Sequence, residues 1–232
     1  MRTTAATLPT IPTSLEPVGH TLAVRTRRLR RLVVGVVAVA AALALLEVPG
    51  SAASYDNMYP TRNANWTCHD TSLYGDFCQT DNATFTVYAQ SSIGNTGWIN
   101  INDVVWKPGS TYQSTILSVS YQNPPSYTGS AETDVIYRQG SLVSPWRGWT
   151  WCDDAVSSTR CDQHWIRFLA SNPSHKLVCH ETGHAVGLTH GDQAYPRVSN
   201  TTSSLACMIT PIDQITTATL GSHNTAEINK TY

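Results

Sequence analysis

Charge is scarce in this chain of 232 residues: Asp, Glu, Lys and Arg make up only 13%, about half the usual share. That excludes a charge-rich coiled coil and a disordered acidic or basic chain. Neither sign dominates. A formal net charge of -1 offers no argument for nucleic acid as a partner. Long apolar runs are absent too. The longest, Leu32 to Leu46, spans about 22 Å as a helix, short of the roughly 30 Å hydrocarbon core of a bilayer. No C-x-x-C occurs, which disfavours a structural zinc site built on cysteine. Phe is sparse, at three residues against seven Trp and ten Tyr, so Trp and Tyr must supply the aromatic part of the core and of half-buried strands.

What is present begins with a leader. Arg25, Arg27, Arg28, Arg30 and Arg31 form a dense basic cluster just before the Leu32–Leu46 run. Glu47, Pro49 and Gly50 end the run, and Ser51-Ala52-Ala53 supplies small residues for cleavage. Basic cluster, short apolar run and small-residue site together read as a secretory signal cleaved near Ala53, in preference to a membrane anchor. Residues 1–20 are either an extension of the basic region or lie upstream of the true start. The leader, residues 1–53, carries six Arg against two Glu; residues 54–232 carry nine Lys and Arg against fourteen Asp and Glu. The expected mature protein is therefore mildly acidic, one domain by size, extracellular, monomeric and without a stable membrane anchor.

All six cysteines follow the leader. An even count in an exported chain reads as disulfides. Of the fifteen pairings, two local pairs stand out, Cys68–Cys78 and Cys152–Cys161, which leaves Cys179–Cys207.

Residues 54–83, rich in Asn, Asp and Thr, read as an irregular N-terminal segment stapled by disulfide. Alternation then marks strands at Thr84–Ala89, Thr115–Tyr121, Asp134–Arg138, Gly148–Cys152 (an edge candidate) and His164–Leu169. A short helix falls within Gly97–Trp106. After Asn172-Pro173, Ser174 is a plausible N-cap for a helix that Gly187 ends. Residues 191–222 read as loop, and Ala226–Asn229 as a short closing helix. Five strands followed by a late helix argue for an α+β domain over 84–232.

That late helix carries the chemistry. His180-Glu181-Thr182-Gly183-His184 places two imidazoles four residues apart, stacked on one helical face where they can grip one Zn²⁺. Glu181 is next to them and suited to act on a metal-bound water. Gly187 lets the chain turn back and bring His190 in as a third ligand, leaving one position open, the catalytic rather than the structural pattern. With eight His in the chain, the full spacing arises by chance in roughly one such chain in 80,000, so an ordinary helix with surface histidines is a poor alternative.

H-E-T-G-H-A-V-G-L-T-H at 180–190 resembles the extended zinc signature of the metzincin metallopeptidases. The order of elements over 84–232 resembles theirs too, most nearly that of small secreted matrixin-like members of actinobacterial type. The resemblance implies a mixed, twisted five-stranded sheet, an active-site helix and an irregular C-terminal subdomain with a Met-turn beneath the histidines. Met208 matches that Met in position, and a Cys179–Cys207 bridge would tie the residue before His180 to the residue before Met208. Ile209, Thr210 and Pro211 would line the pocket after the scissile bond, and the edge strand near Gly148–Trp151 would pair with an extended substrate. The chain also departs from the family. Thr210 stands where the astacin and serralysin branches place a transition-state Tyr, and neither Tyr195 nor Tyr232 is singled out as a replacement. The cysteine-switch propeptide is missing. Asp192 is read as support or loop structure rather than as a ligand.

The implied activity is a secreted zinc endopeptidase acting on protein or peptide, with Glu181 as general base. Two rivals stand beside it: a non-catalytic zinc-binding module, and a zinc hydrolase of non-protein amide bonds. Asp153, Asp154 and Asp162 form either a calcium site or a solvated acidic loop. His69, His164, His175 and His223 carry no assigned role.

Overall fold

The computed structural model describes residues 54–70 and 76–232; the expected leader lies outside them. Alternation builds the sheet as anticipated, with one strand more than the five expected. The strands are β1 (Gln79–Thr80), β2 (Thr84–Ala89), β3 (Ser118–Tyr121), β4 (Val135–Gln139), β5 (Gly148–Ala155) and β6 (Arg160–Phe168). The extra strand, β1, has two residues and no alternation to betray it. It exists because Gln79 and Thr80 pair in parallel with Arg160 and Cys161, some eighty positions away.

The fold is α+β with a mostly parallel sheet. β3, β2, β4 and β6 run parallel in that spatial order, with β1 beside the start of β6. β5 alone is antiparallel, paired with β6 on its other side, so β5 forms an edge. β5 and β6 extend to Ala155 and back to Arg160, beyond the ranges expected. The Cys152–Cys161 stretch is thus a tight hairpin and not a loop; its turn is closed by Val156 and Ser157 N–H groups on the Arg160 carbonyl.

Among the described residues three α-helices accompany the sheet: α1 (Asn95–Val105), α2 (His175–Ala185) and α3 (Gly221–Thr231). Phe85 and Val87 of β2, Val135 and Tyr137 of β4, and Ile166 and Phe168 of β6 face α1 and α2 and are wholly buried. Each such side chain contributes about 1.5–3 kcal/mol of burial. Ile101 and Val105 of α1 and Val178 and Ala185 of α2 meet them from the helix side. Two buried polar contacts fix α2 against its surroundings: Tyr137 and Thr182 share a hydroxyl bond of 2.9 Å, and the Tyr112 hydroxyl donates to the Cys179 carbonyl at 2.7 Å. On the outer face the Arg138 guanidinium of β4 lies 4.6 Å over the Trp165 ring of β6, a cation–π contact between neighbouring strands.

The region 191–222 is less open than a loop: it contains 3₁₀ turns at Ser203–Met208 and Ile212–Gln214. α3 is eleven residues long, where a four-residue helix was expected. Its inward face carries His223 and Asn224 as well as Ile228, so it lacks an apolar stripe. These polar groups meet the N-terminal segment instead. Asn57, fully buried, donates to the Thr189 carbonyl and to Asn224 Oδ1, and its own Oδ1 lies 3.0 Å from His223 Nε2. Asp56 and Met58 form bridges with Tyr195 and Leu188. The irregular segment is therefore woven into the same compact unit as the sheet.

The three disulfides are Cys68–Cys78, Cys152–Cys161 and Cys179–Cys207, the pairing expected. Among the described residues no helix is long and apolar enough to cross a membrane.

Candidate metal centre

α2 starts where the Ser174 hydroxyl accepts the Leu177 N–H at 3.3 Å, an N-cap that satisfies one orphan donor of the first turn. The helix ends at Ala185, and Gly187 takes φ +96°, a conformation that costs other residues dearly. The chain reverses there and returns His190 to the helix face. A side chain at position 187 would also press on Met58 and Gln79.

His180, His184 and His190 converge as a group able to hold a metal ion. The Nε2 atom of His180 is 3.2 Å from Nε2 of His184 and 3.2 Å from Nε2 of His190. His180 Nδ1 is 2.8 Å from the Cys207 carbonyl, and His184 Nδ1 is 2.8 Å from the Leu188 carbonyl. A carbonyl can only accept, so both Nδ1 atoms carry the proton and both Nε2 atoms present lone pairs. Burial keeps the rings neutral. It pushes His180 down to about 3, with help from His190, and His190 down to about 4. His184 falls well below its ordinary value through burial and its two neighbours. Lone pairs crowded inside a protein repel one another, and a cation among them is what the donor set fits.

Glu181 is buried beside this group. The Thr150 hydroxyl lies 2.7 Å from Glu181 Oε2 and 2.9 Å from its backbone carbonyl. Burial pushes the Glu181 carboxyl up to about 7, against the lowering effect of the Thr150 hydrogen bond. Gly148 crosses directly over the carboxylate, and a Cβ there would overlap Glu181 Oε1. Phe77 lines the cleft beside the histidines, its ring 4.3 Å from that of His184. The resemblance brings the Gly148–Trp151 strand to the substrate, but no motif marks Gly148 and Thr150 as partners of Glu181 or Phe77 as a neighbour of His184.

Met208 sits under the helix. It is fully buried, and its thioether occupies the space a Cβ on Gly183 would need. The Cys179–Cys207 bridge holds this turn to α2, and Cys207 supplies the carbonyl that orients His180.

The group opens into a cleft of about 580 Å³. Thr210 and Pro211 line it as expected, but Ile209 is buried in the core, and Ile212 and Asp213 line the cleft beyond Pro211. Opposite runs β5. The Arg147 carbonyl accepts from Leu169 beyond the end of β6, whereas the Cys152 N–H turns away to Asp76. With a period of two, Gly148 and Thr150 therefore present their N–H and C=O groups away from β6, along the cleft edge.

Other candidates lie elsewhere. Tyr195 bonds to Arg62, and Tyr232 donates to the Val186 carbonyl; neither lines the cleft. Asp192 is exposed and uses its N–H on the Asn200 side chain. His164 is buried in β6, His175 faces Asp103, His69 faces Asp76 and His223 bonds to Asn57. Of the three acidic residues considered for calcium, Asp154 and Asp162 come together, joined by Glu132, while Asp153 turns towards the Trp151 indole. No family model matches this chain, and no curated protein does.

Proposed function

We propose that this protein is a secreted zinc-dependent endopeptidase of metzincin type. The observation that carries the reading is the convergence of three neutral imidazoles in a cleft, with a buried carboxylate held beside them and a free strand edge alongside. The H-E-T-G-H-A-V-G-L-T-H signature and the Met208 turn beneath Gly183 support the same assignment.

His180, His184 and His190 would hold the zinc, and the chemistry such an ion supplies there is Lewis acidity towards water and carbonyl oxygen. The remaining work belongs to the protein. Thr150 occupies Glu181 Oε2, which leaves Oε1, against Gly148, to take a proton from the attacking water. A carboxyl pushed up towards neutrality binds that proton readily and can pass it to the leaving amine. The Gly148 and Thr150 edge pairs with an extended peptide as an added strand. Thr210, Pro211 and Ile212 flank the side chain that follows the scissile bond.

The test is hydrolysis of casein by the purified protein, with and without a zinc chelator, for the parent and Glu181→Gln. Chelator-sensitive cleavage by the parent, with zinc retained and hydrolysis lost in the variant, is the expected result. Full activity in Glu181→Gln would overturn the assignment. Tight zinc with no cleavage of protein indicates a binding module, and cleavage confined to wall fragments indicates a different amide substrate.

Export is part of the proposal. The three disulfides fit an extracellular protein. Amino-terminal sequencing of protein recovered from culture medium should begin near Ser54; recovery only from cells, with the leader intact, would refute export.

A further inference from the structure

We propose an anion site on the outer face of the sheet, formed by Arg138 of β4 and Arg167 of β6, that takes a sulfate- or phosphate-type oxyanion. The two arginines are register partners on adjacent strands, so two like charges that repel stand side by side. Among the described residues neither forms an ion pair with Asp or Glu. The Nε atom of Arg138 is covered and has no hydrogen-bond partner, which leaves a charged donor unsatisfied. Burial first, then Arg167, pulls the Arg138 guanidinium below its ordinary pKa, and Asp153 offsets this from beyond ion-pair distance. A chain with few charges has thus set two cations together without an acid to pair with either.

Aromatic rings hold both guanidinium groups. Arg138 lies 4.6 Å over the Trp165 ring and 5.2 Å over that of Trp151, and Arg167 lies 5.0 Å over Trp151. Trp151 and Trp165 are nearly parallel, with centroids 6.3 Å apart, and Tyr127 stacks on Trp165 at 6.1 Å. Ring faces attract a cation and restrain its long side chain. Stacking engages only the flat face of a guanidinium. Its edges carry N–H forks that match two oxygens of one anion. Gly140 gives Arg167 its room: a Cβ there would come within 3.1 Å of Arg167 Cδ. Two restrained forks, side by side and without a carboxylate, suit an oxyanion from outside the chain.

The site is separate from the metal centre. Neither arginine lines the cleft, but Trp149, the partner of Arg167 on β5, does. An anionic group held here lies beside the cleft without filling it. The site's existence is independent of any hydrolytic activity.

The test titrates the purified protein with inorganic sulfate or phosphate in chloride buffer at fixed ionic strength. Tryptophan emission should respond saturably, because Trp151 and Trp165 lie against the binding groups, and equilibrium dialysis should find one ion per chain. Arg167→Gln should weaken binding at least tenfold. Arg167→Lys should weaken it too, since an ammonium keeps the charge and loses the fork. Gly140→Ala leaves both arginines in place but presses on Arg167, and should also lower the affinity. Dextran sulfate offers the same group on a polymer. Tighter binding per sulfate than the free ion supports the site with a polymer-borne ester as its ligand; equal binding supports it for the free ion. A parent protein with no saturable sulfate or phosphate binding overturns the proposal, as does an Arg167→Gln variant that binds normally. A lower Tm in Arg167→Gln, with no anion binding by the parent, means that the array only staples the sheet and overturns it equally. Should Arg167→Gln fail to fold, normal affinity in Gly140→Ala overturns the proposal.

Discussion

The Met208 thioether fills the space that a side chain on Gly183 would occupy. Gly183 stands between the two helical histidines, so this contact sets how closely the turn at 206–208 approaches the metal group. Ala206, in that turn, is the one non-glycine residue with positive φ among the described residues, at 51°. Such a conformation costs about 1–3 kcal/mol, and here the surrounding packing and the Cys179–Cys207 bridge hold it.

Gly183→Ala should therefore destabilise. In an exposed helix the change gains roughly 1 kcal/mol of propensity. Here Met208 is fully buried and has nowhere to swing, and overpacking of this kind costs about 1–3 kcal/mol. Urea unfolding should show a net loss of up to about 2 kcal/mol and weaker metal binding. A variant as stable as the parent would mean that the contact is looser than described.

Thr150→Val removes the donor to Glu181 Oε2 while nearly preserving volume. A hydrogen bond to a charged group is worth about 1.5–3 kcal/mol, so kcat/KM should fall about 10–100-fold. The bond favours the ionised carboxylate, so its loss raises the Glu181 pKa. The acid limb of the pH–rate profile should move to higher pH, a shift that general loosening of the fold would not produce.

Cys179 and Cys207 close a loop of 28 residues, and replacing both by Ala should cost about 3–4 kcal/mol. Metal affinity should fall as well, because the Cys207 carbonyl orients His180. Replacing Cys152 and Cys161, nine apart in sequence, should cost about 2–3 kcal/mol and leave metal affinity unchanged. Calorimetric zinc titration distinguishes the two variants.

Acid should unfold the protein partly through His164. Burial pushes this imidazole down to about 3, and its Nδ1 has no partner. Its unfolded pKa is about 6.5. The neutral ring's contribution is complete above that value and is lost as pH falls from 6.5 towards 3, since only the unfolded chain binds the proton there. Between pH 7 and 5 the parent should lose about 2 kcal/mol more than His164→Gln. Equal losses in denaturant titrations at the two pH values would reject the assignment.

Much of this protein follows from short-range pattern. Ser174, the four-residue histidine spacing and Gly187 define α2 and its reversal, because capping and positive φ act over a few residues. Alternation places β2, β4 and β6 within a few positions. Two cysteine pairs lie near in sequence, and the third follows by elimination.

Tertiary structure alone decided the rest. β1 has no pattern of its own and exists through pairing with residues eighty positions on. α3 escaped notice at full length because Asn57, not an apolar core, receives His223 and Asn224. Ile209 went to the core, while Ile212 and Asp213 line the cleft. Thr150 and Gly148 reach Glu181 across thirty residues, and Glu132 meets Asp154 and Asp162 only when β4, β5 and β6 align. Contacts of this kind depend on where a folded sheet and helix bring side chains together, and that distance leaves no period in the sequence.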